Sequence, residues 1–109
     1  MPVTAPESLQ LMITKATALR LAGRWHEADH AYKVVLSNQP NLPDCWYNLA
    51  LVQRQIGGFE SALDCYAEAL KLRVDKPEEV HLNRGVILSD FLRRPQDAEA
   101  ELGAALRLN

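Results

Sequence analysis

His26-Glu27-Ala28-Asp29-His30 spells H-E-x-x-H. On a helix, imidazoles four residues apart share one face and can hold zinc, with the glutamate as general base. The same helix must also bury an apolar stripe. Ala28 and Tyr32 belong to that stripe, so they turn His26 and His30 outward to solvent. A catalytic zinc needs a third protein ligand and a dry cleft. The one other histidine, His81, belongs to a later helix. The expectation is two surface histidines that bind zinc or nickel adventitiously at most, and no metal site. No Ser-His-Asp set, Cys-His set or phosphate loop is present. Glu78-Glu79 and Glu99/Glu101 read as helix starts or solvated faces. Cys45 and Cys65 fall on inward faces and are expected to be reduced, buried thiols. The residues predict no catalysis and no cofactor.

The elements behind these positions follow from hydrophobic period. Between Asp44 and Leu72, two amphipathic helices meet at Gly57-Gly58. Cys45, Trp46, Leu49, Ala50 and Val52 line one; Phe59, Ala62, Leu63, Tyr66, Ala69 and Leu70 line the other. Such a hairpin cannot bury both faces alone, and copies of it flank it. A step of 34 residues carries Gly23, Trp25, Ala28, Tyr32 and Leu36 onto Gly57, Phe59, Ala62, Tyr66 and Leu70. A step of 36 carries Ala62, Tyr66, Ala69 and Leu70 onto Ala98, Leu102, Ala105 and Leu106. The two extra residues are assigned to the Val74–Glu79 connection and the Leu92–Gln96 turn. Six helices are predicted. The first spans about 7–22, with Leu9, Met12, Ile13, Ala16, Leu19 and Leu21 as its apolar set. The second spans about 25–38, and Pro43, Pro77 and Pro95 sit near later helix starts. Residues 1–6 are expected to be a disordered lead.

Trp46, Leu49, Ala50, Gly57, Phe59, Ala62, Tyr66 and Ala69 resemble the tetratricopeptide repeat pattern of W, L, G/A, G, Y/F, A, Y/F and A. The resemblance runs from about Ser8 to Asn109. Met12 and Lys15 replace its tryptophan and leucine in the first repeat; His81 and Arg84 replace them in the third. Arg93-Arg94-Pro95 stands where the third repeat would have its turn glycine. The implied fold is all-α: a right-handed solenoid of three helix-turn-helix repeats (about 7–40, 41–76 and 77–109). Ala16, Ala50 and Gly85 should meet Ala28, Ala62 and Ala98, letting helix backbones approach closely.

The resemblance also implies a concave face lined by the first helix of each repeat, where an extended or helical peptide could lie. In register, this groove would present Thr17 and Arg20, then Tyr47, Asn48, Leu51 and Arg54, then Asn83, Val86 and Asp90. Ile13 and Leu82 belong to the same lining. Asn48 and Asn83 could hydrogen-bond a ligand or simply tie neighbouring helices together. Relatives that grip chaperone C-termini use a clamp of lysine, asparagine, asparagine, lysine and arginine. Only Asn48 matches; Ile13, Thr17, Glu79 and Asn83 hold the other places, so a chaperone tail is not expected. The functional expectation is a non-catalytic interaction module for an unidentified protein or peptide.

Composition sets the outer bounds. The chain has 109 residues, 48% hydrophobic, with formal net charge −2. That suits one globular domain and gives no electrostatic footprint for nucleic acid or an anionic membrane. No apolar run reaches membrane-helix length, and the first residues lack a signal-peptide pattern, so a cytoplasmic location is expected. No polar capping helix follows Leu102, Ala105, Leu106 and Leu108, which should lie partly open. Two alternatives follow. The segment 77–109, through His81–Asp90 and Arg93-Arg94-Pro95, is similar to bacterial tetratricopeptide arrays fused to a sulfotransferase domain, implying a regulatory or substrate-presenting part of a larger transferase. The open last helix could instead pair with another copy of the chain.

Overall fold

The computed structural model describes residues 5–108. Six α-helices follow in order: α1 (Ala5–Leu21), α2 (Trp25–Asn38), α3 (Pro43–Ile56), α4 (Phe59–Lys71), α5 (Pro77–Val86) and α6 (Pro95–Leu108). A π segment, Ile87–Phe91, extends α5. No described helix is long and apolar enough to cross a membrane. Helix α1 begins at Ala5, before the Glu7 start expected; the rest of the expected lead lies outside the described residues. Each helix packs on its sequence neighbour, giving an elongated stack of 52 × 25 × 19 Å. Its radius of gyration, 14.6 Å, exceeds the roughly 13 Å of a spherical domain of this length.

The small-residue register holds. Ala16, Ala28, Ala50 and Ala62 are fully buried, and Ala98 and Gly85 are buried with them. At Gly85 a methyl group would come within 3.1 Å of Leu102 Cδ2, so the α5–α6 contact is already as close as glycine permits. Tyr32 and Tyr66, Val35, Leu49, Val52, Val80 and Ile87 fill the spaces between hairpins. Leu21 departs from expectation: it is 74% exposed, because the chain leaves α1 there.

Each hairpin turns through one left-handed residue. Gly23 (φ 73°) and Gly57 (φ 91°) provide it in the first two repeats. The following N–H then reaches back five residues, Arg24 to the Leu19 carbonyl and Gly58 to the Gln53 carbonyl. The third repeat keeps the device without glycine: Arg93 adopts φ 54°, and the Arg94 N–H reaches the Leu88 carbonyl, six residues back. The longer reach reflects the π segment, where the Leu92 N–H bonds the Ile87 carbonyl. The extra residue expected in the Leu92–Gln96 turn is therefore wound into the helix as one wide turn. After it the register recovers, and the N–H of Ala28, Ala62 and Ala98 each caps onto the residue four before. The other extra residue lies between α4 and α5, where Arg73 (φ 64°) is left-handed and the Val74 N–H bonds the Ala69 carbonyl.

A left-handed conformation costs a side-chain-bearing residue about 1–2 kcal/mol. Arg93 is exposed and makes no ion pair among the described residues, so its side chain offsets little of this. Replacement by glycine also loosens the unfolded chain, which reduces the gain. Arg93→Gly should stabilise the fold by about 0.5–1 kcal/mol in urea denaturation. An unchanged or lower midpoint would contradict this account of the turn.

Candidate functional site

The expected groove residues fall on α1, α3 and the α5–π helix. Thr17, Arg20, Tyr47, Asn48, Leu51, Arg54, Asn83 and Val86 are partly exposed, and Asp90, inside the π segment, is exposed. They do not all stand free. Thr17 Oγ1 lies 3.1 Å from the buried Tyr32 hydroxyl, and Arg20 Nε donates to it at 3.3 Å. These contacts tie α1 to α2. Asn83 Nδ2 donates to the Tyr47 hydroxyl at 3.3 Å, joining α5 to α3. The two asparagines thus separate: Asn83 takes the helix-tying role, whereas the Asn48 amide makes no hydrogen bond among the described residues.

Behind α3 the same geometry recurs with one partner missing. Arg54 and Tyr66 stand twelve residues apart, like Arg20 and Tyr32. Leu51 replaces Thr17. The Tyr66 hydroxyl is buried without a hydrogen-bond partner, although the Arg54 guanidinium lies close enough to favour its ionised form. Burial outweighs that influence and raises the Tyr66 pKa. The Tyr47 ring meets the Tyr66 ring edge-on, with centroids 5.7 Å apart. Sequence reading missed the role of the tyrosine hydroxyls. Their repeated twelve-residue spacing from an arginine was the available signal.

Near the starts of α3 and α5, Asp44, Asp75, Lys76 and Glu79 surround Tyr47 in a small cleft of about 200 Å³. Burial, with Glu79 nearby, raises the Tyr47 pKa. A larger cleft, about 460 Å³, lies across α2, α3 and α4 and includes Leu36, Trp46, Leu49, Gln53 and Cys65. Here the Cys65 thiol donates to Gln53 Oε1 at 3.2 Å, and Gln53 Nε2 donates to Asp29 at 3.4 Å. Lys33 pairs with Asp29 at 2.9 Å. Burial, reinforced by Asp64, pushes the Cys65 thiol up to about 12, so it is neutral near pH 7. Both cysteines are free and buried, as expected.

In the third repeat the corresponding interior is ionic. His81, Arg84 and Glu101 replace the Trp46, Leu49 and Cys65 types. Glu101 lies 3.3 Å from His81 Nδ1 and 3.2 Å from Arg84 Nε. The arginine contact falls outside hydrogen-bonding geometry and leaves that buried nitrogen unsatisfied. His26 and His30 are exposed on the outer side of α1–α2, beside Met12, Lys15, Leu19 and Val34. Among the described residues, no three His, Cys, Asp or Glu side chains are grouped to hold a metal ion.

The two tyrosines provide an internal control. Tyr32→Phe removes bonds to Thr17 and Arg20 and should cost about 1–2 kcal/mol. Tyr66→Phe removes a buried hydroxyl with no partner and should be neutral or slightly stabilising. Paired urea titrations would decide the matter; equal losses would show that the Tyr66 hydroxyl is bonded in solution.

No family model matches the sequence. Solved structures match it closely in shape. A chain of the CopN–Scc3 complex superposes with a TM-score of 0.86 at 18% identity, over 93% of this chain and 58% of that one. A tetratricopeptide repeat protein from Parabacteroides merdae gives 0.84 at 24% identity, over 97% of this chain and 41% of that one. The second tetratricopeptide domain of Spaghetti (RPAP3), bound to the HSP90 peptide SRMEEVD, gives 0.81 at 18% identity, covering 98% of this chain and all of that one. The present chain therefore spans little more than half of the first of these proteins and less than half of the second. Three stacked hairpins, their left-handed turns and these superpositions establish the tetratricopeptide repeat fold.

Proposed function

We propose that this chain is a non-catalytic protein-interaction module whose α1–α3–α5 face takes a peptide or protein segment. The observation that carries the reading is the middle repeat's unused polar capacity. Asn48 and Arg54, flanking Leu51, are partly exposed; the Asn48 side chain makes no hydrogen bond and Arg54 no ion pair among the described residues, the Arg54 guanidinium lying beside the Tyr66 hydroxyl. An amide offers both a donor and an acceptor to a peptide backbone, and a guanidinium offers five donors. With Tyr47 and Leu51 beside them, they suit a ligand that is polar along its backbone and apolar at intervals.

The similar RPAP3 domain was solved with an HSP90 peptide. That ligand does not transfer directly. The clamp places here hold Ile13, Thr17, Glu79 and Asn83; Asn83 is engaged by Tyr47, and Glu79 would repel a carboxylate. Asn48→Ala combined with Arg54→Ala should abolish capture of a bound partner while leaving the helical circular dichroism unchanged. Partner capture equal to wild type would refute a ligand site on this face.

A second reading draws on the open end of the stack. Leu82, Leu102 and Leu106 are 50%, 39% and 73% exposed, and they border a cleft with Glu78, Glu79 and Ala105. At the other end, Lys15, His26 and His30 flank apolar Met12, Leu19 and Val34. A head-to-tail pair would cover both apolar surfaces and bring acidic groups towards basic ones. The alternative of a segment within a larger transferase rests only on the likeness of residues 77–109. Light scattering over a hundredfold concentration range should show mass increasing if the ends pair. A constant monomer mass would remove that reading.

A further inference from the structure

Three exposed leucines mark the two ends of the stack. Leu11 on α1, 64% exposed, holds the repeat position of Cys45 and Val80, which are both buried. Leu106 on α6 holds the position of the buried Leu36 and the half-buried Leu70. Leu102 stands where Tyr32 and Tyr66 are fully buried. Inside the chain an adjoining hairpin covers such positions, with α2 packed on α3 and α4 on α5. The open face of α1–α2 and the open face of α5–α6 are therefore the two halves of one kind of junction.

The junction between the first and second repeats supplies the template. There Leu36 and Ser37 of α2 line a cleft with Trp46, Leu49, Ser61 and Cys65 of the next hairpin. One repeat step back from those four, Met12, Lys15, Glu27 and Ala31 line a cleft on α1 and α2. Among the described residues no other helix contributes to that cleft. The two repeat steps together carry Leu36 and Ser37 onto Leu106 and Arg107, both exposed on α6. One end thus carries the helix face that the other end lacks.

Charge agrees with this register. Gln53 reaches across the first junction to Asp29 at 3.4 Å. The same steps carry Asp29 to Glu99 and Gln53 to Leu19, one helical turn from Lys15. Docking one copy on another in this register brings the Lys15 ammonium, at the place of the buried Leu49, towards a carboxylate. Arg107 and Glu27, at the places of Ser37 and Ser61, likewise come to share one cleft.

We propose, resting on the self-association reading, that each open end is filled by a second copy of this chain, seated in the repeat's own register. Helix α6 of one copy precedes α1–α2 of the next as α2 precedes α3–α4. Leu106 then lies against Met12 and Ala31. Leu11 enters the cleft lined by Leu82, Leu102 and Leu106, as Val80 is buried against the hairpin before it. The contact joins two different surfaces, so each added copy leaves one end of each kind open. The product is an open stack that continues the solenoid, not a closed dimer.

Two substitutions, each blocking one end, test the register. Leu106→Arg and Leu11→Asp should leave the circular dichroism unchanged, because both side chains lie outside the core of a single copy. In sedimentation velocity the wild type should form species larger than two chains as concentration rises. Each variant alone should associate at least about tenfold more weakly. Leu106→Arg keeps the α1–α2 face and Leu11→Asp keeps the α5–α6 face. An equal mixture should therefore form a dimer and stop at twice the 12.2 kDa chain. A wild type that stops at a dimer, or a mixture that stays monomeric while the wild type associates, would overturn the register and preserve self-association. So would a Leu11→Asp variant that still pairs with itself. A wild type of constant 12.2 kDa over a hundredfold concentration range would overturn both, leaving the ends to a different protein.

Discussion

The close approach of helix backbones inside each hairpin sets the geometry of the whole stack. Ala16 with Ala28, Ala50 with Ala62, and Gly85 with Ala98 remove the side-chain volume that would hold paired helices apart. Once those helices are close, Tyr32 and Tyr66 fit where neighbouring hairpins meet, and their hydroxyls arrive under the α1 and α3 faces. A larger residue at one small position would therefore disturb both a core contact and the face behind which the next tyrosine lies. Packing and the proposed recognition site share the same spacing.

Much of this arrangement was legible because a repeat provides several observations of one rule. The 34-residue step by itself places the small residues, the turn glycines and the helix pairs of the first two repeats. Features created by substitution within the repeat were harder to see. Nothing in the identity of Leu51 alone announces an orphan hydroxyl on Tyr66; the inference requires knowing that Thr17 and Arg20 meet Tyr32. Likewise, Asn48 and Asn83 look equivalent in sequence, but only Asn83 finds the Tyr47 hydroxyl. Leu21 had the right chemistry for the core and the wrong location, at the point where α1 ends.

The third repeat shows how far an interior can depart while the backbone persists. His81, Arg84 and Glu101 form a partly buried ionic cluster where the second repeat has tryptophan, leucine and cysteine. Desolvation reduces the net value of such a cluster, even when the charges lie close together. Its local contribution is weaker than that of the apolar packing it replaces, particularly with Arg84 Nε unsatisfied. The exposed Leu82, Leu102 and Leu106 lie in the same repeat. Polar interior and uncovered apolar exterior thus occur together at one end, whereas the middle repeat has packed neighbours on both sides.

The wide turn at Ile87–Phe91 has a consequence for how such a chain can change length. Its additional residue is absorbed before Arg93, and the capping bond from Ala98 to Arg94 returns to the pattern used by the other hairpins. An insertion is thereby confined to a single helical turn, without passing a phase error into the next helix. Hairpin turns act as points of realignment: each resets the helix that follows to the same start, whatever happened upstream. A lineage of such repeats can acquire or lose single residues within one unit while the register of its neighbours remains intact.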